Sequence, residues 1–190
     1  MSVVDSHGNA VALTTTVNGL FGSGVRAPRV GILLNNTLDD FSFGEGANIY
    51  GLVGSKKNRL APGKRPLSSM SPTIVLEKGR VRLVAGGAGG PTIISGTLQT
   101  LLGVLAEGRT AAEAVDAPRI HHQWQPDTLF METGIFGTAK QPIQQSTADA
   151  LLSRGHTLDG KSFIGAINAV EVTGTRAVAA PDPRKRTPVP

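Results

Sequence analysis

Apolar and polar positions alternate from the first residues of the chain. Residues 2–17 read as two strands joined at Asp5-Ser6-His7-Gly8-Asn9. Val11, Leu13 and Val17 are apolar with threonines between them, the pattern of a half-buried hairpin with a polar edge. Asn18-Gly19 then turns the chain. Phe21 to Arg29 reads as a glycine- and proline-containing loop, and Gly31-Ile32-Leu33-Leu34 as a short buried strand ending at Asn35-Asn36. From Thr37 to Arg65 periodicity is lost and glycine and charge dominate, as in a surface loop or lid. Thr73 to Leu76 and Val81 to Ala85 form a predicted hairpin around Lys78-Gly79, and both read as central strands because both are apolar and β-branched.

The second half switches period. Ile93, Ile94, Leu98, Leu101, Leu102 and Leu105 recur at near-helical spacing, which predicts a helix over Thr92–Leu105 stopped near Gly108. Thr110 followed three residues later by Glu113 is a capping-box pattern for a second helix, which Pro118 ends. Ser146–Arg154 reads as a third helix stopped by Gly155. Ile167–Val172 and Arg176–Ala180 read as two closing strands, and the tail after Pro181 as frayed. Strands, then helices, then strands suit a layered α+β domain.

Composition narrows the picture. The 190 residues can bury one core. Hydrophobic residues make up 39% and aromatics only 4%, so that core must be built from Val, Ile, Leu and Ala. Net charge is +5, carried in short clusters such as Lys56-Lys57-Asn58-Arg59, Lys64-Arg65 and Arg184-Lys185-Arg186. No basic face with interleaved aromatics is present, which argues against nucleic acid as a partner. There is no cysteine, which excludes disulfides and cysteine catalysis without fixing the compartment. The sequence contains no signal-peptide pattern and no apolar run of membrane-spanning length. Met1 stands directly before a strand-like Ser2-Val3-Val4, so the chain reads as beginning inside a longer protein.

Two stretches carry candidate chemistry. Pro66-Leu67-Ser68-Ser69-Met70-Ser71-Pro72-Thr73 is a run of hydroxyls between prolines, and Gly86-Gly87-Ala88-Gly89-Gly90 is a glycine cluster ending an apolar strand. Adjacent hydroxyls and free backbone N–H groups can hold a carboxylate and a developing oxyanion. Each stretch alone also fits an ordinary turn. Asp39-Asp40 fits either a solvated turn or a pair with one carboxylate buried. His121-His122 invites a metal reading, but neighbours on an extended segment point to opposite faces, so both read as structural. Asp116 to Arg119 reads as a helix end with a partner-facing arginine.

Taken in order, these motifs carry a specific resemblance. Ser2-Val3-Val4-Asp5, Gly8-Asn9-Ala10-Val11, Thr14-Thr15-Thr16-Val17-Asn18, Phe21-Gly22-Ser23-Gly24, Gly31-Ile32-Leu33-Leu34-Asn35-Asn36, Asp39-Asp40-Phe41, Pro62 to Pro72 and Pro118-Arg119-Ile120-His121-His122-Gln123 together resemble the small, catalytic subunit of the γ-glutamyltransferases. The resemblance covers nearly all of residues 1–190, read as one small-subunit-like domain. It implies the N-terminal nucleophile hydrolase fold, a four-layer αββα sandwich of which this chain is the small-subunit half. It implies cleavage of γ-glutamyl amides such as glutathione through a γ-glutamyl-threonine ester, with transfer to water or to an amino-acid or peptide amine. The partner implied is the large subunit of the same self-cleaving precursor, and no cofactor or metal is implied. Many bacterial relatives are periplasmic or secreted.

Residue by residue, Thr16 resembles the threonine whose hydroxyl touches the nucleophile, and Gly89 and Gly90 the oxyanion-hole glycines. Asp40 resembles the aspartate that pairs with the substrate α-ammonium, with Asn18 beside it. Ser68 and Ser69 resemble the pair that binds the α-carboxylate, and Tyr50 resembles a lid tyrosine. Thr37 stands where family members often carry a glutamine or glutamate that helps bind the α-amine. The family opens Thr-Thr-His-x-Ser-Val-Val-Asp, so Met1 falls on the variable position and the nucleophile is expected three residues before it. The chain by itself is expected to be inactive. Two alternatives stand: a non-catalytic remnant or partner-binding half, and a relative acting as a glutaryl-type acylase.

Overall fold

A computed structural model of the chain describes residues 1–44, 46–133 and 143–185. Its residues fall into two compact units, one of residues 1–14 and 70–190 and the other of residues 15–69.

The first unit is layered. Strands β1 (Ser2–Val4) and β2 (Ala10–Ala12) form an antiparallel hairpin. The Asp5 carboxylate closes its loop by accepting from the N–H groups of His7 and Asn9 at 2.8 and 2.9 Å. The second strand stops at Ala12, short of the predicted Val17. Ser2, Val4, Ala10 and Ala12 are its more buried residues, while Val3 and Val11 pair across its exposed face. The period-2 signal therefore holds, but Val11, one of the apolar residues that marked it, lies on the exposed face.

That sheet runs β3-β4-β8-β9, from β3 (Thr73–Glu77), β4 (Arg80–Ala88), β8 (Ala166–Thr173) and β9 (Arg176–Ala180). β3 and β4 turn at Lys78-Gly79, both with positive φ (50° and 77°), as a two-residue hairpin requires. The central strand of the pair is β4 alone; β3 is an edge strand that exposes Ile74 and Leu76. Helices α1 (Thr92–Leu105) and α2 (Ala111–Asp116) pack on the sheet. Thr110 caps α2 with the reciprocal Glu113 bonds that its spacing predicts.

The core is aliphatic and small: Leu83, Ala85, Val104, Ala111, Ala114, Val115, Ala169 and Ala180. The helices sit close because their contact residues are small. A Cβ at Gly103 would stand 2.9 Å from the Ala114 Cβ, and one at Gly96 would meet the Ile167 side chain at 3.1 Å.

A second sheet, absent from the sequence reading, joins β5 (Ile120–His121) antiparallel to β6 (Leu129–Glu132) and β6 parallel to β7 (Leu158–Lys161). Strands of two to four residues are too short to show a period. Helix α3 covers Gln145–Ser153, one residue from its predicted bounds at each end. The tail after Pro181, expected to fray, is instead anchored as far as Arg184 by the burial of Asp182 and Arg184 among bonded partners, and beyond Lys185 it lies outside the described residues.

Arg119 corrects the sequence reading. It is 1% exposed rather than partner-facing. Its guanidinium pairs with Asp182 at 2.9 Å, while Arg184 pairs with both Asp182 and Glu132. An arginine after a helix end is ordinarily solvated, and only the return of the chain 63 residues later brings the carboxylate that lets this one be buried.

The second unit is irregular. Single 3-10 turns at Thr37–Asp40 and Lys56–Asn58 and isolated bridges such as Arg26 to Leu33 replace the strand expected at Gly31–Leu34. Ile32, Leu33 and Leu34 are exposed. The apolar run was read as buried because it lacks polar residues; its backbone instead bonds back to Val25 and Ala27 in a turn at Gly31.

On α1, Ile94, Leu98, Leu102 and Leu105 form one apolar ridge about half exposed to solvent. Such a ridge drives association. The 190-residue chain alone is expected to elute as an oligomer or aggregate in sizing chromatography. Leu98→Lys with Leu102→Glu should reduce that association and leave the far-UV circular dichroism unchanged. A monodisperse wild-type monomer that melts cooperatively would contradict this.

Candidate active site

In the irregular unit, backbone bonds gather the candidate substrate-binding residues around Asn18, which has a left-handed φ of 73°. Its N–H donates to Thr16 Oγ1 at 2.9 Å and its Nδ2 to the Asn36 carbonyl at 3.3 Å. Asn36 returns the link by accepting from the Gly19 N–H at 2.7 Å. The Tyr50 hydroxyl donates to the Asn18 carbonyl at 2.9 Å. Thr16, Asn18 and Tyr50 therefore form one bonded group.

Asp40 belongs to the same group. Its turn begins at Thr37, whose N–H is held by Asn35 Oδ1 at 3.0 Å. Burial pushes the Asp40 carboxyl above the ordinary range and the neighbouring Asp39 charge adds to this, while a hydrogen bond from Asn18 opposes both. Asp39 accepts from the Ile49 N–H at 3.0 Å. Burial also raises the Tyr50 phenol, helped by the charges of Asp40 and Asp39, which keeps it a neutral donor. Among the described residues, neither Asp39 nor Asp40 forms an ion pair with a Lys, Arg or His. Two carboxylates without a cation can attract a positively charged group.

Asn58, which sequence reasoning missed, ties the serines to this group. Its Nδ2 donates to the Asp40 carbonyl at 2.7 Å and its Oδ1 accepts from the Leu67 N–H at 3.0 Å. Leu67 directly precedes Ser68 and Ser69, so one side chain sets the spacing between the acidic turn and the hydroxyls. A cavity of about 100 Å³ lined by Asp39, Asp40, Ser42, Asn48 and Asn58 lies in the same unit. An Asn inside a run of lysines gives no signal in the sequence beyond its side-chain amide.

In the layered unit, Gly89 and Gly90 lie between β4 and the start of α1, with φ of 140° and 59°. Both lie in the positive-φ region that favours glycine. The Gly89 carbonyl is turned away by a bond from Thr92 Oγ1 at 2.7 Å. Among the described residues neither glycine N–H has a backbone acceptor. Two free N–H groups at the start of a 14-residue helix can stabilise a developing oxyanion.

The two histidines are separate, as expected. His121 is buried, with Nδ1 2.6 Å from Ser95 Oγ and Nε2 3.0 Å from Gln123 Oε1. Burial lowers its pKa, which favours the neutral ring. His122 faces Asp127 at 3.1 Å. Among the described residues no group of three His, Cys, Asp or Glu side chains could hold a metal ion, and no helix is long and apolar enough to cross a membrane.

Known proteins resemble this chain in sequence and fold. Residues 1–189 match the family model described as gamma-glutamyltranspeptidase. The chain is 45% identical over 185 residues to the glutathione hydrolase proenzyme of Escherichia coli K12, covering 96% of this chain and 30% of that protein. It is 43% identical over 188 residues to that of Pseudomonas aeruginosa, covering 97% and 33%. The chain thus spans about a third of the length of these curated relatives. A crystal structure of a Helicobacter pylori gamma-glutamyltranspeptidase mutant superimposes with a TM-score of 0.91 at 42% identity, covering 97% of this chain and 98% of that one. The expected small-subunit half of an N-terminal nucleophile hydrolase sandwich is therefore the fold observed. A match along almost every residue, together with these identities, shows that the chain belongs to the gamma-glutamyltranspeptidase family.

Proposed function

We propose that this chain is the substrate-holding, small-subunit portion of a γ-glutamyltransferase that acts on γ-glutamyl amides such as glutathione. The observation that carries the reading is the uncompensated Asp39-Asp40 pair, bonded through Asn18 to Thr16 and Tyr50. In this reading Asp40 and Asn18 bind the substrate α-ammonium, with Thr37 beside them, and Ser68 and Ser69 bind the α-carboxylate. Tyr50 covers the bound group. The hydroxyl of the family's N-terminal threonine attacks the γ-carbonyl, and the N–H groups of Gly89 and Gly90 receive the negative charge that develops on its oxygen. Thr16 steadies that threonine by a hydrogen bond. The amine leaves with a proton, an ester remains, and water or an acceptor amine takes the γ-glutamyl group. Residues 1–190 act as one small-subunit-like domain with the large subunit of the same precursor as partner.

The acid pair favours this reading over a glutaryl-type acylase, whose substrates carry no ammonium to neutralise it. The non-catalytic alternative is separated by experiment. A precursor carrying a large subunit and the threonine ahead of this chain is expected to cleave itself and release product from a γ-glutamyl anilide. A precursor that does neither would leave the binding-only reading standing.

Asp40→Asn in that enzyme should raise KM for the anilide by about tenfold to a hundredfold, the order of a lost charge-assisted bond. A KM within twofold of wild type would remove Asp40 from the ammonium site.

The raised Asp40 pKa sets the pH dependence. Only the ionised carboxylate pairs with the ammonium, so KM should climb on acidification at a pH above that of an ordinary carboxyl. The same shift has the opposite sign for stability: ionising this group costs the folded state, and that cost disappears as pH falls through the folded pKa. A KM profile flat down to the range of an unperturbed aspartate would contradict the assignment.

A further inference from the structure

Three of the four charges in the buried network of the layered unit bond one short segment. Arg119 Nη1 donates to the carbonyls of Ile164 at 3.2 Å and Gly165 at 3.0 Å. Its Nη2 donates to the Val115 carbonyl at 2.8 Å and to Asp182 Oδ2 at 2.9 Å. The same Asp182 oxygen accepts from the Ile167 N–H at 2.6 Å, and Glu132 accepts from the Ile164 N–H at 3.2 Å. Residues 164–167 are therefore gripped at both ends by side chains of one charge network. Arg184 completes it by bonding Glu132, Asp182 and the carbonyls of Val115 and Ala117.

The gripped segment is the back wall of the glycine turn. Gly165 has φ of 65°. A Cβ placed at Gly89 would stand 2.7 Å from Gly165 Cα and 2.7 Å from Thr92 Oγ1. Gly165, whose carbonyl the guanidinium holds, therefore packs its own backbone directly against Gly89. An apolar side chain could fill the space of Arg119, but it has no donors with which to hold two main-chain carbonyls.

We propose that Arg119, anchored by Asp182, is a positioning residue for the Gly89-Gly90 turn and acts through Gly165. It touches no reacting atom. Its fork sets where Gly165 stands, and Gly165 sets the direction of the Gly89 and Gly90 N–H groups. The inference rests on the reading of those N–H groups as oxyanion donors, and a donor displaced from the oxyanion costs turnover more than substrate affinity.

The test uses the processed enzyme from a precursor that contains this chain, labelled with 15N-glycine. Arg119→Lys keeps the charge and removes the fork. It is expected to lower kcat at least about tenfold with KM within twofold, and to move the Gly89, Gly90 and Gly165 amide resonances together. Gly165→Ala leaves all four charges in place while its methyl presses on Thr92, at 3.2 Å from the carbonyl and 3.3 Å from Oγ1. It should give the same kcat loss and the same shifts, and it decides the matter if Arg119→Lys does not mature. Wild-type kcat in Gly165→Ala, or Gly89 and Gly90 resonances unmoved in a folded Arg119→Lys, would overturn the proposal. A wild-type enzyme without γ-glutamyl activity would instead overturn the functional reading, and the glycine resonances would then settle the positioning role alone.

Discussion

The burial of two arginines with two carboxylates is the constraint on which the layered unit depends. Arg119, Asp182, Glu132 and Arg184 are each no more than 9% exposed, and their formal charges cancel. Burial lowers the Arg119 pKa, against the pull of Asp182 and Glu132. Burial also disfavours the Arg184 cation, but its bonds to Glu132 and Asp182 outweigh this and its pKa is raised. Such a set is no cheaper than an apolar core of the same volume, yet removal of one member strands a buried charge at a cost of about 3–5 kcal/mol. What the set provides that an apolar core cannot is direct hold on the backbone. Its members bond seven main-chain groups in the span from Val115 to Ile167: the carbonyls of Val115, Ala117, Ile164 and Gly165 and the N–H groups of Arg119, Ile164 and Ile167. It thereby ties the end of α2, strand β6 and the entry to β8 to the segment after β9.

How much of this could be read from the sequence follows from the range of each interaction. Helix α1 and the capping box of α2 depend on residues three and four apart, and both were found where the pattern put them. The β3–β4 and β8–β9 hairpins needed only a turn and two apolar runs. Facing and rank within a sheet are different. Val3 and Val11 point outward and β3 lies at an edge because of what packs beside them, which no local period encodes. The same limit hid the ion tetrad. Arg119 looks like any helix-end cation until Asp182 arrives, and an Arg in a basic tail-like stretch looks solvated until Glu132 meets it. At the candidate site, the family motifs single out Asp40, Asn18 and the glycines as candidates, whereas no motif marks Asn58, whose side chain joins two loops.

The two units hold their backbones in different ways. The layered unit has the strands, the helices and the closed charge network. The irregular unit has no regular strand among its described residues and carries a concentration of polar side chains: a carboxylate pair, an amide, a phenol and two hydroxyls. Loops tolerate such a concentration of polar groups because their backbone needs are met locally, here by Asn18, Asn36, Asn48 and Asn58. Four asparagines thus satisfy backbone groups that a sheet would otherwise pair: Asn18 donates, Asn36 and Asn48 accept, and Asn58 does both.

The glycine cluster shows why a structural and a chemical explanation of one motif need not compete. Gly87 is required by packing: a Cβ there would lie 2.2 Å from the Ala166 carbonyl oxygen and 2.4 Å from Ile167 Cδ1. Gly89 is required twice over, by its φ and by the approach of Gly165. These demands come from the close seating of β4 against β8, and that seating brings the turn within reach of a segment held by buried arginine. A larger residue at either position would push β8 away, and the guanidinium bonds to residues 164 and 165 would lengthen with it. The tight ladder, the glycine turn and the buried charges are therefore one arrangement, in which the free N–H groups at the start of α1 are aimed by contacts that lie wholly behind them.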